Sequence, residues 1–164
     1  MPRRKLPYKE GDWFAVPLRS EGYGLGLVAR MNGKGIVLGY FFGPLHKQLP
    51  TEKDIVSLSP MDAVLVRQFG DSGFLGGKWP VIYRPDDGRW SREEWPLPAF
   101  GRIVPVPGSI LAIRTEYSED DINHVIREVP VSVEEARQLP RDVLSGDEAI
   151  EIIVTKLLSP TWIE

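Results

Sequence analysis

The sequence predicts an α+β domain: mainly an antiparallel, strongly twisted β-sheet or partly open barrel, with a short and a longer helix at the C-terminal end. Three observations support this fold class. The segment 11–43 combines many glycine and aromatic residues with two apolar runs that alternate at the period of a strand. Short strand-like runs continue to about residue 130, and helix-start signals are concentrated in residues 131–164. Strands that precede helices in this way are typical of an antiparallel sheet with segregated helices.

The dipeptide Asn32-Gly33 lies between the two apolar runs and is the strongest short-range signal for a β-hairpin. A two-residue turn there pairs Leu27 with Leu38. Since side chains alternate across a strand, one face of the hairpin then holds large apolar residues and the other holds most of the glycines. The first face holds Tyr23, Leu25, Leu27, Ala29, Met31, Lys34, Ile36, Leu38, Tyr40 and Phe42. The second, which we call the glycine face, holds Gly24, Gly26, Gly35 and Gly39 with Val28, Arg30, Val37 and Phe41.

The glycine face is expected to pack closely against something bulky, because glycine lets a ring or another chain approach the backbone. Gly26 and Gly39 are the positions at which we expect this contact. A four-residue loop through Gly35 would keep the division of the two faces, whereas a three-residue loop would break it.

The segments on either side of the hairpin are weaker signals. Residues 1–10 are expected to form a loose basic arm, because Pro2 and Pro7 bracket their charged residues. Residues 11–130 are expected to be mostly β. Within them, residues 13–18 predict a first strand that Pro17 confines to an edge or ends, and residues 46–54 predict a polar connection.

Residues 55–69 are compatible with strand or helix. Ser59-Pro60 is a helix-start signal, with a capping hydroxyl and a proline at the first position. Residues 63–69 are rich in strand formers, which favours a strand there. Residues 70–78, with four glycines, predict a flexible loop.

The next part of the chain predicts short strands and turns. Residues 79–83 predict a strand and residues 85–88 a turn, since proline, aspartate and glycine stand at suitable positions. Alternating prolines in residues 90–107 favour an extended segment that cannot lie in the centre of a sheet. Residues 110–115 and 124–129 predict paired strands around an acidic loop.

Two helices are predicted in residues 131–164. Ser132 with Glu135, and Ser145 with Glu148, match the capping box, in which a hydroxyl and a carboxylate satisfy free backbone amides. The first helix is short and ends before Pro140. The second is expected over 146–158, with one apolar stripe formed by Ala149, Ile150, Ile153, Val154 and Leu157.

Length and composition favour one domain over residues 1–164 and a cytoplasmic location. A chain of 164 residues can bury a core without disulfides, and the absence of cysteine fits a reducing compartment. The N-terminus has no apolar run of the kind found in signal peptides, and no stretch is long and apolar enough to span a membrane. A net charge of −3 argues against a general nucleic-acid binder.

The sequence offers no catalytic, metal or cofactor site. His46 and His124 are the two histidines; they come from distant segments without metal-ligand spacing, and neither stands beside a nucleophile motif. Residues 70–78 lack the Gly-Lys-Ser/Thr ending of a phosphate-binding loop. We therefore expect a protein that is not an enzyme and needs no cofactor.

Two of the five tryptophans, Trp90 and Trp95, flank a charged tetrapeptide in a proline-rich stretch. The preferred interpretation is that they pack over the glycine face. The other is that they are exposed anchors of a protein interface, since interfaces often use aromatic residues bordered by charge. On the interface interpretation, the candidate partner-binding residues are Asp86, Asp87, Trp90, Glu93, Glu94 and Trp95. Residues 116–121, with four carboxylates, are the competing site.

Several motifs resemble the immunity protein 26 family of bacterial polymorphic toxin systems. They are GDWFAVPL, YGLGLVAR and GYFFGP in the first third, and KWPVIY and REEWPLPAF further on. The resemblance spans roughly residues 8–100 and is strongest over 11–43. It implies a cytoplasmic protein that neutralises a toxin by binding it, with no catalytic residues to assign. The alternative is a small β-rich binding module for a peptide or nucleic-acid ligand.

Overall fold

The computed structural model describes residues 5–86 and 88–164. In these residues the strands are β1 (Trp13–Pro17), β2 (Tyr23–Met31), β3 (Ile36–His46), β4 (Leu65–Gly70), β5 (Val81–Tyr83), β6 (Phe100–Val106), β7 (Ser109–Tyr117), β8 (Val125–Val131) and β9 (Leu144–Ser145). The helices are α1 (Glu52–Ile55), α2 (Ser72–Leu75), α3 (Val133–Gln138) and α4 (Asp147–Leu158), with a 3-10 helix at Pro60–Asp62.

The strands form two sheets. The larger has six strands in the order β5-β1-β2-β3-β4-β9, and the smaller has three in the order β6-β7-β8. All pairs are antiparallel except β4 with β9. The predicted α+β class and mainly antiparallel pairing are confirmed. Of the two arrangements left open, the open sheet is correct, because neither sheet closes into a barrel in the described residues.

The six-stranded sheet is buried on both faces, so it separates two apolar cores. The first core lies between the sheet and α4; it contains Tyr8, Phe14, Val16, Val28, Val37, Phe41, Phe69, Phe74, Trp79, Ile150 and Val154. The second lies under residues 90–100 and the acidic loop; it contains Trp13, Leu25, Leu27, Ala29, Leu38, Tyr40, Phe42, Ile55, Trp95, Phe100 and Ile122. β2 and β3, the two middle strands of this sheet, therefore lie between the two cores.

The predicted hairpin is present, but its loop has three residues instead of two. The backbone N–H of Asn32 donates to the carbonyl of Ile36 at 3.1 Å, which leaves residues 33–35 as the loop. The Asn32 Oδ1 accepts bonds from the backbone N–H groups of Lys34 at 2.8 Å and Ile36 at 3.1 Å. Gly33 and Gly35 have φ values of 72° and 104°, which glycine adopts without strain.

A β-bulge at Ala29 restores the division of faces that this loop would otherwise break. Next to the loop, Arg30 pairs with Leu38, but beyond the bulge Leu27 pairs with Tyr40. The extra residue in β2 reverses the alternation, so Leu27, Leu38 and Tyr40 share one core as predicted. Between loop and bulge the prediction is wrong, because Arg30 lies on the face of Leu38 and Met31 packs against the first core.

The glycine face is covered as predicted. A Cβ on Gly39 would lie 2.7 Å from Cε1 of Phe69, and one on Gly26 would overlap the ring of Phe14. Gly24 faces α4, where a Cβ would lie 2.9 Å from Cγ1 of Val154. The rings that cover this face come from neighbouring strands, and not from Trp90 or Trp95.

The N-terminal arm is not loose where the structure describes it. Tyr8 is 2% exposed, and its ring stacks on Phe74 with centroids 4.5 Å apart. Its hydroxyl donates to the Asp71 carboxylate at 2.8 Å, and burial raises the pKa of Tyr8 well above its usual value. Residues 1–4 lie outside the described residues. Residues 70–78 are also more ordered than predicted, since α2 buries Phe74 and places Gly73 against Trp79.

Residues 55–69 contain both elements that the sequence allowed. The 3-10 helix begins after Ser59, and Asp62 completes a reciprocal capping box with it. β4 follows at Leu65, so the preferred strand prediction for this stretch is confirmed. Residues 46–54, predicted as a polar connection, include the single turn α1.

The smaller sheet and the C-terminal helices follow the predictions closely, with one shift. β6, which contains Pro105, is an edge strand, and β7 and β8 pair around the acidic loop. The Ser132 Oγ caps α3 by accepting from the Glu135 N–H at 3.0 Å. For α4 the cap is Gly146 instead of Ser145, which lies in β9. Its buried residues are Ile150, Glu151, Val154 and Thr155, whereas Leu157 is 45% exposed.

We predict that Gly26→Ala destabilises the fold by about 1–3 kcal/mol, the usual cost of overpacking a filled core. The added methyl group would overlap the Phe14 ring, which is fully buried and cannot move without disturbing its aromatic neighbours. Urea unfolding measures the change. Gly70→Ala, in β4, is the matched control, because a Cβ there meets nothing within 4 Å. Equal stabilities for the two variants would contradict the prediction.

Candidate functional site

The predicted partner-binding residues divide into exposed acids and packed tryptophans. Asp86, Glu93 and Glu94 are exposed, and among the described residues the Asp86 carboxylate makes one long ion-pair contact, of 4.0 Å, with the Arg89 guanidinium. Asp87 lies outside the described residues. The described acidic side chains of this segment are therefore open to solvent, whereas the two tryptophans differ from each other in burial.

Trp95 is not a surface anchor. Its side chain belongs to the second core and is 7% exposed, with edge-on contacts to Trp13, Tyr40 and Phe42 at centroid distances of 5.5, 5.4 and 5.8 Å. The prolines predicted an extended segment here but did not show which surface it covers. The segment covers the second core, because an extended chain can reach across several strands.

Trp90 is half-buried and packs over the backbone of Gly11. A Cβ on Gly11 would lie 3.0 Å from Cγ of Trp90, so the indole approaches a position where only glycine fits. The indole N–H is buried and has no hydrogen-bond partner in the described residues. The partly exposed ring leaves Trp90 as the one predicted tryptophan that a partner can contact.

The competing acidic loop, residues 116–121, is fixed at its base. Ile122 is 1% exposed and inserts into the second core, and the Ser118 N–H donates to the His124 carbonyl at 2.9 Å. Glu119 and Asp120 are exposed at the tip. The loop therefore presents its charges from a defined position next to the core.

Arg30 connects this loop to residues 90–95. Its side chain is 1% exposed, and its Nε donates to the Glu119 carboxylate at 2.6 Å. Its Nη1 donates to the Trp95 carbonyl at 2.9 Å and to the Ala29 carbonyl. A buried guanidinium with these partners fixes the positions of two surface segments relative to β2.

Arg92 makes a second connection at the surface. Its guanidinium binds the Glu10 carboxylate through two bonds of 2.7 and 3.0 Å, and its Nη1 lies 3.5 Å from the Asp120 carboxylate. The hydrogen bond to Glu10 raises the pKa of Arg92 above its ordinary value. The two acidic segments that the sequence presented as competing sites are thus neighbours.

We call the resulting surface the acidic face and define it by Glu10, Glu93, Glu94, Glu119 and Asp120. The described residues contain no group of three potential metal ligands, and they contain no helix able to span a membrane. His46 lies beside Asp54 at 4.0 Å and His124 is exposed on another part of the chain. What the acidic face offers chemically is charge and hydrogen-bond acceptors for a cationic surface.

Sequence reasoning missed Arg30 and Arg92 as organising residues. A single arginine within a run of apolar and glycine residues was the available signal for Arg30, because a charge at such a position needs partners. The sequence does not show which residues are the partners of Arg30, because Glu119 is 89 positions away along the chain.

The comparison with known protein families gives one result. The family described as immunity protein 26 matches residues 9–114, which is more than half of the chain. The matched region includes the hairpin, the glycine face and residues 86–95. No curated protein and no solved structure matches the chain significantly.

We predict that Arg30→Met loosens the acidic face and destabilises the fold by about 1–3 kcal/mol, since buried carbonyls lose their donor. Methionine keeps the apolar stem but cannot bind Glu119 or Trp95. Hydrogen exchange should become faster in residues 90–95 and 116–121, and urea unfolding should give the free-energy change.

Arg89→Gln is the control for this variant, because the Arg89 side chain is 66% exposed and its one ion-pair contact with a described residue is the 4.0 Å contact with Asp86. It should leave both measurements unchanged. Wild-type exchange in both segments of Arg30→Met would show that Arg30 does not hold them.

Proposed function

The chain belongs to the immunity protein 26 family, and on this basis we propose that it is a non-catalytic immunity protein that binds and neutralises a cognate toxin domain of a bacterial polymorphic toxin system. The family match over residues 9–114 is the observation that carries the proposal. A cytoplasmic protein would meet the toxin where the toxin acts. Binding alone is sufficient for neutralisation, so no turnover is required.

The acidic face supports a cationic partner surface. Its five carboxylates come from three separate parts of the chain, and Glu93, Glu94, Glu119 and Asp120 are exposed. Toxin domains that act on nucleic acid carry basic surfaces, which such a face would attract and orient. Arg30 and Arg92 hold Glu10, Glu119 and Asp120 in place, which reduces the entropy lost when a partner binds.

Trp90 supplies the apolar part of the proposed interface. It stands two residues before Arg92 and is partly exposed. Asp86 and Asp87 precede it on the same segment, so they belong to the proposed rim. A partly exposed aromatic ring bordered by charge is a common anchor in protein interfaces. Trp95 would act indirectly, as the packed support of this segment.

A toxin encoded next to this chain provides the direct test. Co-expression should protect cells from it, and the purified proteins should form a stable complex. Failure of both would contradict the proposal, and saturable binding of a peptide or nucleic acid instead would support the alternative of a general binding module.

We predict that the triple variant Asp86→Asn, Glu93→Gln, Glu94→Gln slows association with the toxin by about tenfold and flattens its salt dependence, because rim charges act mainly on the encounter rate. Trp90→Ala should instead speed dissociation, since a buried anchor acts after contact. Surface plasmon resonance separates the two rates.

The control for the triple variant is Glu134→Gln, Glu148→Gln, Glu52→Gln, which removes the same charge from exposed positions on three helices. Equal slowing by the control would show a general effect of net charge and would reject this site. Unchanged kinetics for both the triple variant and Trp90→Ala would reject it as well.

We also predict that neutralisation does not depend on either histidine. His46→Ala and His124→Ala should each retain full protection, because a stoichiometric inhibitor needs no general base. Protection is measured at equal expression, with the melting temperature as the control for folding. Loss of protection in a variant that melts normally would indicate catalysis.

A further inference from the structure

A cavity beside β6, the edge strand of the smaller sheet, has no role in the proposed function. It lies between β6, α3 and the segment that leads to β9, and its volume is about 430 Å³. Cavities of roughly 300–1,000 Å³ are typical of small-molecule sites. Arg102, Arg137 and Arg141 line it, together with Ile103, Leu139 and Val143. We call it the arginine cavity.

Backbone contacts hold its walls in place. The Gly101 N–H donates to the Pro140 carbonyl at 2.8 Å, and the Gly101 carbonyl accepts from the Asp142 N–H at 2.9 Å. α3 comes so close to β6 that a Cβ on Gly101 would overlap the Ala136 carbonyl. The cavity is therefore a fixed feature of the packing.

Positive charge exceeds negative charge in the arginine cavity. Arg137 and Arg141 form no ion pair with any described residue, and Arg102 has one long contact of 3.6 Å with Glu128. Asp142 is the one carboxylate in the lining, and it already accepts the Tyr117 hydroxyl at 2.6 Å. Three arginines and one occupied carboxylate thus line this cavity, in a protein whose net charge is −3.

Arg67 adds a second, independent sign of missing negative charge. It is 8% exposed, donates to the Ser145 Oγ at 3.0 Å, and leaves its Nε without a partner in the described residues. Burial and the neighbouring charge of Arg141 both lower the pKa of Arg67. An uncompensated buried guanidinium is costly, and an anion at Arg141 would relieve the repulsion.

We propose that the arginine cavity binds an organic oxyanion, a carboxylate or phosphate head on a short apolar body. Guanidinium groups recognise such heads through paired N–H donors, which suits Arg137 and Arg141. Ile103, Leu139 and Val143 would receive the apolar body. This site is independent of toxin binding, so failure of either proposal leaves the other intact.

Isothermal titration of the purified chain at low salt tests the site with three probes: benzoate, phenyl phosphate and inorganic phosphate. We expect one-to-one binding of benzoate or phenyl phosphate, and the tighter of the two identifies the head group. Inorganic phosphate should bind at least tenfold more weakly than phenyl phosphate, because it lacks the apolar body. Equal binding of these two phosphates would overturn that part of the proposal.

Arg137→Gln and Arg141→Gln should each weaken binding of the preferred probe at least tenfold. Arg127→Gln, which removes a charge from a side chain 64% exposed on β8, should bind like the wild type. Arg137 is exposed on α3, so its replacement should not affect folding. Arg137→Gln therefore tests the site even if Arg141→Gln lowers the melting temperature. Absence of saturable binding to the wild type, wild-type binding by Arg137→Gln, or equal weakening by Arg127→Gln would each overturn the proposal.

Discussion

Burial of the β2–β3 hairpin on both faces is the constraint on which the rest of the structure depends. A sheet covered on two sides needs large side chains on one face and room for incoming rings on the other. Gly26 and Gly39 provide this room for Phe14 and Phe69, and Gly24 does so for α4. The glycines lower the intrinsic strand preference, but they let a dense aromatic cluster form directly on the backbone.

Because the sheet is covered on both faces, some charged side chains are buried. In this protein, several of these buried side chains form ion pairs with residues far away in sequence. Glu151 on α4 is 5% exposed, accepts the Trp79 indole N–H at 2.8 Å and binds Arg19. Asp12 is fully buried and is bound by Arg84 through two bonds of 2.8 Å. Arg30 is likewise buried, and it binds Glu119 of the acidic face. Since a buried charge without its partner is costly, each pair fixes the position of a peripheral segment.

Local pattern predicted the fold well and the site only in part. Alternation identified which residues of β2 and β3 share a core, and proline placed β6 at an edge. The predicted loop length was wrong because the Asn32 side chain accepts hydrogen bonds from two backbone N–H groups of a longer loop. The bulge at Ala29 restores the predicted division of faces, but the turn sequence does not predict a bulge three residues away. The interface interpretation placed Trp95 at the surface for a related reason, since composition does not show what an extended segment covers.

The sequence shows least clearly which charged residues are neighbours in the folded protein. Residues 86–95 and 116–121 are two separate acidic segments along the chain, and their carboxylates would repel each other if they simply met. Arg92 lies between Glu10 and Asp120, and Arg30 lies between Glu119 and the core, so each contact is attractive. An exposed pair contributes little stability, whereas the buried Arg30 holds its partners firmly. One face, organised by two arginines, can therefore offer a basic partner a fixed pattern of charge, which a flexible acidic loop cannot.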